Sequence, residues 1–470
     1  MASLPRHALG FAYFRTVFPR LVRELHSRAA ALAEKRVLDS PAFHLGWFLG
    51  NSFGVHGWNQ EWGGTGAEDW TQPDLHVDLA KSLERACFDF LLLEDSLFVP
   101  DNYGGSMEFY LSRALRAPKN DPLPLVPLIA QATKHLGIVP TISTSFYPPY
   151  LLARLIATLD LMSKGRVGCN FVTSTAERAA QNFGLDAHLE HDLRYEMAAE
   201  FVDVVTQLWS SWDADAIVMD RKAGVFVDHT KVRPINFKGK FFSSRGPLNT
   251  ARPPQGRPVL VQAGGSPQGQ AFAAKHMDCV LGAVSTVAEM KAFRNDLRER
   301  VAAEGRDPNS CKVLFVISPT IGETREEAEG RVRRRQAQRE AFPAVTLAQM
   351  GSLTDIDFST FDLDAPIGEL STNGQQGTLK RFLAQGATLR EIARNYRYGF
   401  EDAVGTTDHV AGVMEEVMQE VGGDGFVFSG PITRRYVAEI TDGVVPALQR
   451  RGLVRTAYEH QHFRDNFMAY

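Results

Sequence analysis

The chain has 470 residues, 44% of them hydrophobic and 23% charged, and a formal net charge of −4. That size allows a large core, in two or three domains or in one elaborated barrel. The near-neutral balance gives no electrostatic footing for nucleic acid or an anionic membrane as partner, and no apolar run approaches the roughly 18 residues that a membrane span needs. Cys87, Cys169, Cys279 and Cys311 form no CxxC pair and sit mostly in apolar segments, the usage of reduced thiols in a cytoplasmic protein.

Residues 1–42 are arginine-rich and helix-prone. Glu24, Glu34 and Asp39 interrupt the pattern of a transit peptide, so an accessory helical arm is expected there. The first buried strand is predicted at 43–49 (FHLGWFL), running into a loop rich in glycine and tryptophan. Strands follow at 89–94 (DFLLLE), 137–142 (GIVPTI) and 167–172 (VGCNFV), each separated from the next by a helical segment. Such alternation argues for a parallel sheet with helical crossovers. A helix near 191–210 leads into an insertion at about 211–250 with hairpin-like pieces. The alternation resumes at 259–263, 279–284 and 312–317. An irregular, lid-like stretch is expected over 342–378. Helices near 378–398 and 407–421, a strand at 425–428 and a last helix at 432–451 complete the chain before a tail at 464–470.

Eight strands, each followed by helix, predict an α/β fold of the (β/α)8 TIM-barrel type spanning 43–463. The competing open doubly wound sheet should carry GxGxxG in its first turn, and the GGTG at 63–66 neither follows a strand closely nor opens a helix. Chemistry in such barrels collects at the C-terminal ends of the strands. Those ends supply His56 after the first strand, Asp95 after the second, Thr141 and Ser143 at the third, Asn170, Thr173 and Ser174 at the fourth, and Gly264, Gly265 and Ser266 at the fifth. In VLVQAGGSPQG (259–269) a strand stops in glycines, and Ser266-Pro267 read as an N-cap and first helical turn, which leaves N–H groups for an anion. Taken singly, each of these residues also fits a cap, a turn or the core.

His191, Arg194 and Tyr195 stand at i, i+3 and i+4 and share one helix face, bringing a proton-transfer group, a cation and a phenol together. A metal site built on His188 and His191 lacks HExxH and a third ligand at a recognisable spacing, so no metal is expected. An inert, solvated helix surface is the plainer reading of the same residues.

The stretches TISTSFYPPYLLARLIATLDLMSKGRVGCNFVTS, NFGLDAHLEHDLRYEMAAEF and VQAGGSPQG, with GFVFSGP and VVPALQRRGLVRTAY near the end, resemble the flavin-dependent monooxygenases of the bacterial-luciferase superfamily. The branch they resemble contains the nitrilotriacetate, EDTA and dibenzothiophene sulfone monooxygenases. The resemblance implies a barrel that takes reduced FMN from a separate NAD(P)H:flavin reductase, reacts it with O2 and oxidises a small organic molecule, with C–S, C–N or C–halogen cleavage. It implies Asp95, Thr141, His191, Tyr195, Gly265 and Ser266 as FMN ligands, with Asn170 and Ser174 in the matching NFVTS stretch. His191 is then the candidate for proton management at the flavin and His56 a group in contact with substrate. Self-association of the chain is also expected. The family's first loop often carries histidine followed closely by Trp-Arg, whereas His56-Gly57-Trp58 is followed by Asn59. That departure argues against a polycarboxylate substrate, and Trp58, Phe98 and Phe146 suggest an apolar or aromatic pocket. Two other readings of the same residues are a deazaflavin (F420)-dependent hydride-transfer enzyme and a non-catalytic flavin-binding barrel.

Overall fold

A computed structural model describes residues 42–59 and 68–470. The expected arm, apart from its last residue, lies outside the described residues, as does the GGTG at 63–66. Eight strands form a closed barrel: β1 (His44–Leu49), β2 (Phe90–Leu93), β3 (Gly137–Ser143), β4 (Gly168–Val172), β5 (Val259–Gln262), β6 (Cys279–Gly282), β7 (Lys312–Ile317) and β8 (Gly425–Ser429). They pair in chain order and β8 returns to β1, all parallel, with Trp47 opposite both Leu91 and Phe428. The crossovers are α1 (Asp74–Arg85), α2 (Leu125–Ala132), α3 (Pro149–Ser163), α4 (His191–Trp209), α5 (Pro267–His276) and α6 (Val287–Ala303), followed after β7 by α7 (Arg325–Ala341).

These strands read as continuous apolar runs because both faces are covered. One set of side chains, including Leu45, Trp47, Leu91, Ile138 and Phe171, packs outward against the helices. The alternate set, Phe90, Leu92, Val139, Val259, Val261, Leu314, Val316 and Val427, fills the interior. Gly46 makes room for that filling, since a Cβ there would lie 2.6 Å from the ring of Phe90.

Residues 464–470, expected as a tail, instead belong to the floor of the barrel. The short helix Phe463–Phe467 inserts two rings that join the interior cluster, and Tyr470 stacks on His44 with ring centroids 4.4 Å apart. The apolar pair at i and i+4 would otherwise face water, and the barrel would otherwise be open beneath Phe90. Around this plug, carboxylates join neighbouring strands. Asp89 accepts from the backbone N–H of Leu45 at 2.9 Å and from Arg455 at 2.7 Å. Asp278 accepts from the N–H of Leu260 at 2.9 Å and from Arg464, and Asp424 accepts from the N–H of Val313 at 2.9 Å.

The insertion between α4 and β5 contains two small antiparallel pairs, Ile217–Asp220 with Val225–Val227 and Phe237–Lys238 with Ser243–Ser244. The stretch expected to be irregular over 342–378 is more ordered than its composition suggests. It holds α8 (Pro343–Thr354) and the first residues of α9 (Gln376–Leu383), and the helix α10 (Leu389–Asn395) packs beside them before α11 (Thr407–Val421) leads to β8. Leu347, Met350, Phe358, Leu379, Phe382 and Leu389 make a separate small core there. Gly351 and the Ser and Thr residues of α8 weaken its helical signal, and tertiary burial overrides them.

Asp89 is wholly buried. Burial alone would raise its pKa, but the charges of His44 and Arg455 outweigh that and hold it below the usual carboxylate range. Asp89→Asn leaves two buried donors facing a neutral amide and is expected to cost about 3 kcal/mol. Thermal unfolding would read this as a midpoint lowered by several degrees with the folded circular dichroism spectrum retained.

Candidate active site

The interior is solid below, so the C-terminal ends of the strands open into a cavity of about 1390 Å³. His56, Asp95, Phe98, Thr141, Asn170 and Ser174 line it, together with His191, Tyr195, Gly265 and Ser266. Barrel closure thus brings together side chains far apart in the chain. Trp58 and Phe146 are not among them. Trp58 is 50% exposed and its indole N–H donates to the Arg113 carbonyl at 3.1 Å, outside the cavity. Phe146 stacks on Phe183 with centroids 4.4 Å apart and so covers that exposed ring instead. Both belong to local packing, and of the expected apolar pocket residues Phe98 reaches the cavity, joined by Phe48, Met350, Tyr398 and Ile432.

On the side of β3 to β5 the wall is built of amides and hydroxyls. Thr141 and Asn170 are register partners, and the Asn170 amide donates to Thr141 Oγ1 at 2.8 Å. Asn170 Oδ1 and Gln262 Oε1 have no partner among the described residues, although the two residues are only 3% and 4% exposed. Buried acceptors left without donors inside a cavity point to a ligand that supplies the donors. Ser143 and Ser174 share a hydroxyl contact at 2.8 Å, and His188 Nε2 donates to the Ser174 carbonyl at 3.1 Å.

After β5 the chain crosses Gly264 and Gly265 into α5. A Cβ at Gly264 would lie 2.4 Å from the Gln262 amide nitrogen, and one at Gly269 would lie 2.9 Å from the Tyr195 hydroxyl, so the cradle admits no side chain. Ser266 caps α5 by accepting from Gly269 N–H at 3.1 Å, and Pro267 stands at the first helical position. The remaining N–H groups and the helix dipole suit an anion. Burial raises the pKa of Tyr195, whose hydroxyl is tied to Ser266, Gln262 and Thr173. His191 packs edge-on to Tyr195 at 5.1 Å, and its Nδ1 meets Asp192 at 2.7 Å. Arg194, expected to share that face, does not line the cavity. It is buried and donates to the carbonyls of Leu189 and Asn373, which fastens α4 to the segment leading into α9.

On the side of β1 and β2 the wall is titratable. The Ser52 carbonyl lies 2.8 Å from His56 Nε2 and 2.7 Å from His76 Nε2. A carbonyl only accepts, so both Nε2 atoms carry hydrogen and His56 is left with a free lone pair on Nδ1. Burial pushes the His56 pKa down to about 4. Burial pushes Asp95 up to about 7, against the opposing charge of Lys119 and with that of Glu94.

Sequence reasoning missed the cations. Lys119 donates to Glu94 at 2.7 Å and to Ser96 at 3.0 Å, and Arg116 donates to the other Glu94 oxygen at 3.3 Å. Both line the cavity, as does Arg381 of α9. They lie in loops or on a lid helix, where no periodicity or motif marks them. The one available signal was Glu94 at the end of an apolar strand, a buried carboxylate that needs a cation.

The comparisons with known proteins agree with the barrel fold. A family model described as Luciferase-like monooxygenase matches residues 44–425. The chain is 36% identical over 452 residues to dibenzothiophene-sulfone monooxygenase of Rhodococcus erythropolis, covering 93% of this chain and 97% of that protein. It is 36% identical over 429 residues to N-acetyl-S-(2-succino)cysteine monooxygenase of Bacillus subtilis (strain 168), covering 86% and 94%. Among solved structures, a riboflavin lyase with modified FMN and riboflavin superposes with a TM-score of 0.83 at 29% identity, covering 91% of this chain and 96% of that one.

The state of His56 is testable through stability. The folded protein refuses a proton that the unfolded chain accepts near pH 6.5, so the unfolded state binds more protons and stability falls as pH drops from 6.5 toward 4. His56→Gln is expected to flatten that decline, and thermal midpoints of the two proteins measured across the same window check it.

Proposed function

The chain belongs to the luciferase-like monooxygenase family, an enzyme of that flavin-dependent oxidoreductase class, and on that premise we propose that it uses reduced FMN and O2 to oxidise a small organosulfur compound with cleavage of a carbon–sulfur bond. The orphaned Asn170 Oδ1 and Gln262 Oε1, buried in the same cavity as the glycine cradle, carry this reading. A flavin offers ring N–H donors at one end and a phosphate at the other, and the wall offers acceptors and a helix N-terminus in turn. When bound, reduced FMN supplies the two electrons by which one oxygen atom of O2 enters the substrate and the other leaves as water.

Gly265 and Ser266 hold the phosphate in this reading, with Tyr195 beside them. Thr141, Asn170 and Ser174 orient the ring, and His191 covers its edge next to Tyr195. His56 stays neutral at physiological pH with Nδ1 free to take a proton, while Asp95, titrating near 7, can give or take one. The lid segment excludes water from the cavity. Phe98, Met350 and Ile432 favour an apolar or aromatic body for the substrate, and the two named relatives both have sulfur compounds in their names.

A separate NAD(P)H:flavin reductase delivers the reduced FMN, a reading supported by the absence of any GxGxxG turn from the sequence. Ile217, Val218, Met219, Val225 and Phe226 are exposed apolar side chains on one hairpin and support self-association of the chain. Among the described residues no helix is long and apolar enough to cross a membrane.

The test is rapid mixing of anaerobic protein and FMNH2 with air and a panel of aromatic sulfones, thioethers, halides and amines, read by mass spectrometry with 18O2. One labelled oxygen per product molecule and release of an oxidised sulfur species are expected. Labelled product from the amines or halides alone would replace the sulfur assignment, and hydrogen peroxide without product in every class would overturn the enzyme reading. Ser266→Ala is expected to weaken FMNH2 binding by roughly tenfold, in line with the loss of one phosphate contact.

A further inference from the structure

The lid helix α9 ends its approach to the barrel against the glycine cradle. A Cβ on Gly377, in the first turn of α9, would lie 3.7 Å from the carbonyl carbon of Gly265 and 3.8 Å from the nitrogen of Ser266. A Cβ on Gly265 would lie 3.2 Å from Nη1 of Arg381. The N-termini of α5 and α9 therefore converge on one point, and no side chain caps α9, whose N-cap Gln375 makes no capping bond. Arg381 stands over the same point. Its guanidinium makes one hydrogen bond within the described residues, from Nη2 to Thr378 Oγ1 at 3.2 Å, and no described carboxylate lies within 4.0 Å of it, whereas Arg390 and Arg397 each have an aspartate. Gln262, 4% exposed and with Oε1 unpartnered among the described residues, brings its amide to the same loop, the nitrogen 3.2 Å from where a Cβ on Gly269 would lie.

Two positive helix ends and a guanidinium with no counter-charge among the described residues concentrate positive potential at a glycine loop that only a small group can enter. A dianionic phosphate balances that charge, and a neutral hydroxyl does not. We infer that Arg381 is a specificity-determining and positioning residue which binds the cofactor phosphate from the lid side, so that the lid closes on a phosphorylated flavin and not on an unphosphorylated one. This rests on the FMN reading above. Other attachments of the lid lie within the protein and need no ligand: Arg194 donates to the Asn373 carbonyl at 2.8 Å, Arg178 to Asp355 at 2.9 Å and Tyr110 to the Ala348 carbonyl at 2.9 Å. Arg381 is therefore the attachment that a ligand completes, and lid closure becomes coupled to the presence of cofactor before substrate arrives.

The experiment compares wild type, Arg381→Gln and Arg381→Lys by anaerobic fluorescence titration with reduced FMN and reduced riboflavin. Limited proteolysis of the 355–375 segment is followed with each ligand. Wild type is expected to prefer FMN by tenfold or more. Arg381→Gln should lose roughly 10- to 100-fold in FMN affinity with riboflavin affinity unchanged, and Arg381→Lys should fall between, because it keeps the charge without the two-pronged geometry. FMN should protect the segment in wild type and not in Arg381→Gln. Equal FMN affinity and equal protection in Arg381→Gln would overturn the inference and leave the FMN reading standing. Failure of wild type to bind either flavin would overturn both. An equal loss for FMN and riboflavin would assign Arg381 to folding of the lid and also overturn it, and the circular dichroism of each variant separates misfolding from loss of a contact.

Discussion

Closure of eight parallel strands in a single register is the constraint on which everything at the mouth depends. Phe90, Leu92, Val139, Val261 and their neighbours fill the interior, and Phe463 and Phe467 block its floor. A ligand consequently has one end available. The same closure sets Thr141 beside Asn170 and Asn170 beside Val261, so the donor and acceptor pattern of the wall follows from strand pairing and needs no mobile loop to assemble it. The floor carries the opposite chemistry. Asp89, Asp278 and Asp424 each take a backbone N–H from an adjacent strand and a charged partner from elsewhere. Charge is spent on holding the strands at one end, which leaves unpaired polarity at the other.

The mouth divides into two halves with different physical origins. Around β3 to β5, hydrogen-bond geometry does the positioning: acceptors without donors among the described residues, a cradle without side chains and a helix N-terminus at the cavity. Around β1 and β2, burial does the tuning. It moves His56 and Asp95 in opposite directions on the pH scale, toward neutrality in both cases, which is how a site keeps a proton acceptor and a proton donor in one cavity near pH 7. Glu94 remains charged because Lys119 and Arg116 outweigh its burial. The first half suits a fixed cofactor, and the second suits a reacting molecule whose charge changes.

The barrel was legible because each strand is apolar on both faces and each is followed by helical periodicity, a pattern that few folds share. The gathering of these polar groups at one mouth was legible too, since glycines before a Ser-Pro cap are a local signature and the polar strand ends stand out against apolar runs. The placement of the aromatic side chains was not. Trp58 and Phe146 are large and aromatic, yet what decides their place is a carbonyl of Arg113 and the ring of Phe183, partners brought by tertiary structure. Arg194 shared a helix face with His191 and Tyr195 in the sequence, but its side chain turned to carbonyls of the lid segment. The order within 342–378 was hidden because its helices rely on a private core and hold poor helix formers. Lys119, Arg116 and Arg381 matter through what they face, and a linear sequence carries no mark of that.

The central claim is that distant side chains from Asp95 to Ser266 surround one flavin in one cavity. The most direct measurement is a crystal structure of the protein soaked with FMN. The account predicts the phosphate against Gly265 and Ser266, and the ring N–H donating to Asn170. Density for the flavin elsewhere on the barrel, or for a phosphate turned toward β1 and β2 with the glycine cradle vacant, would contradict it.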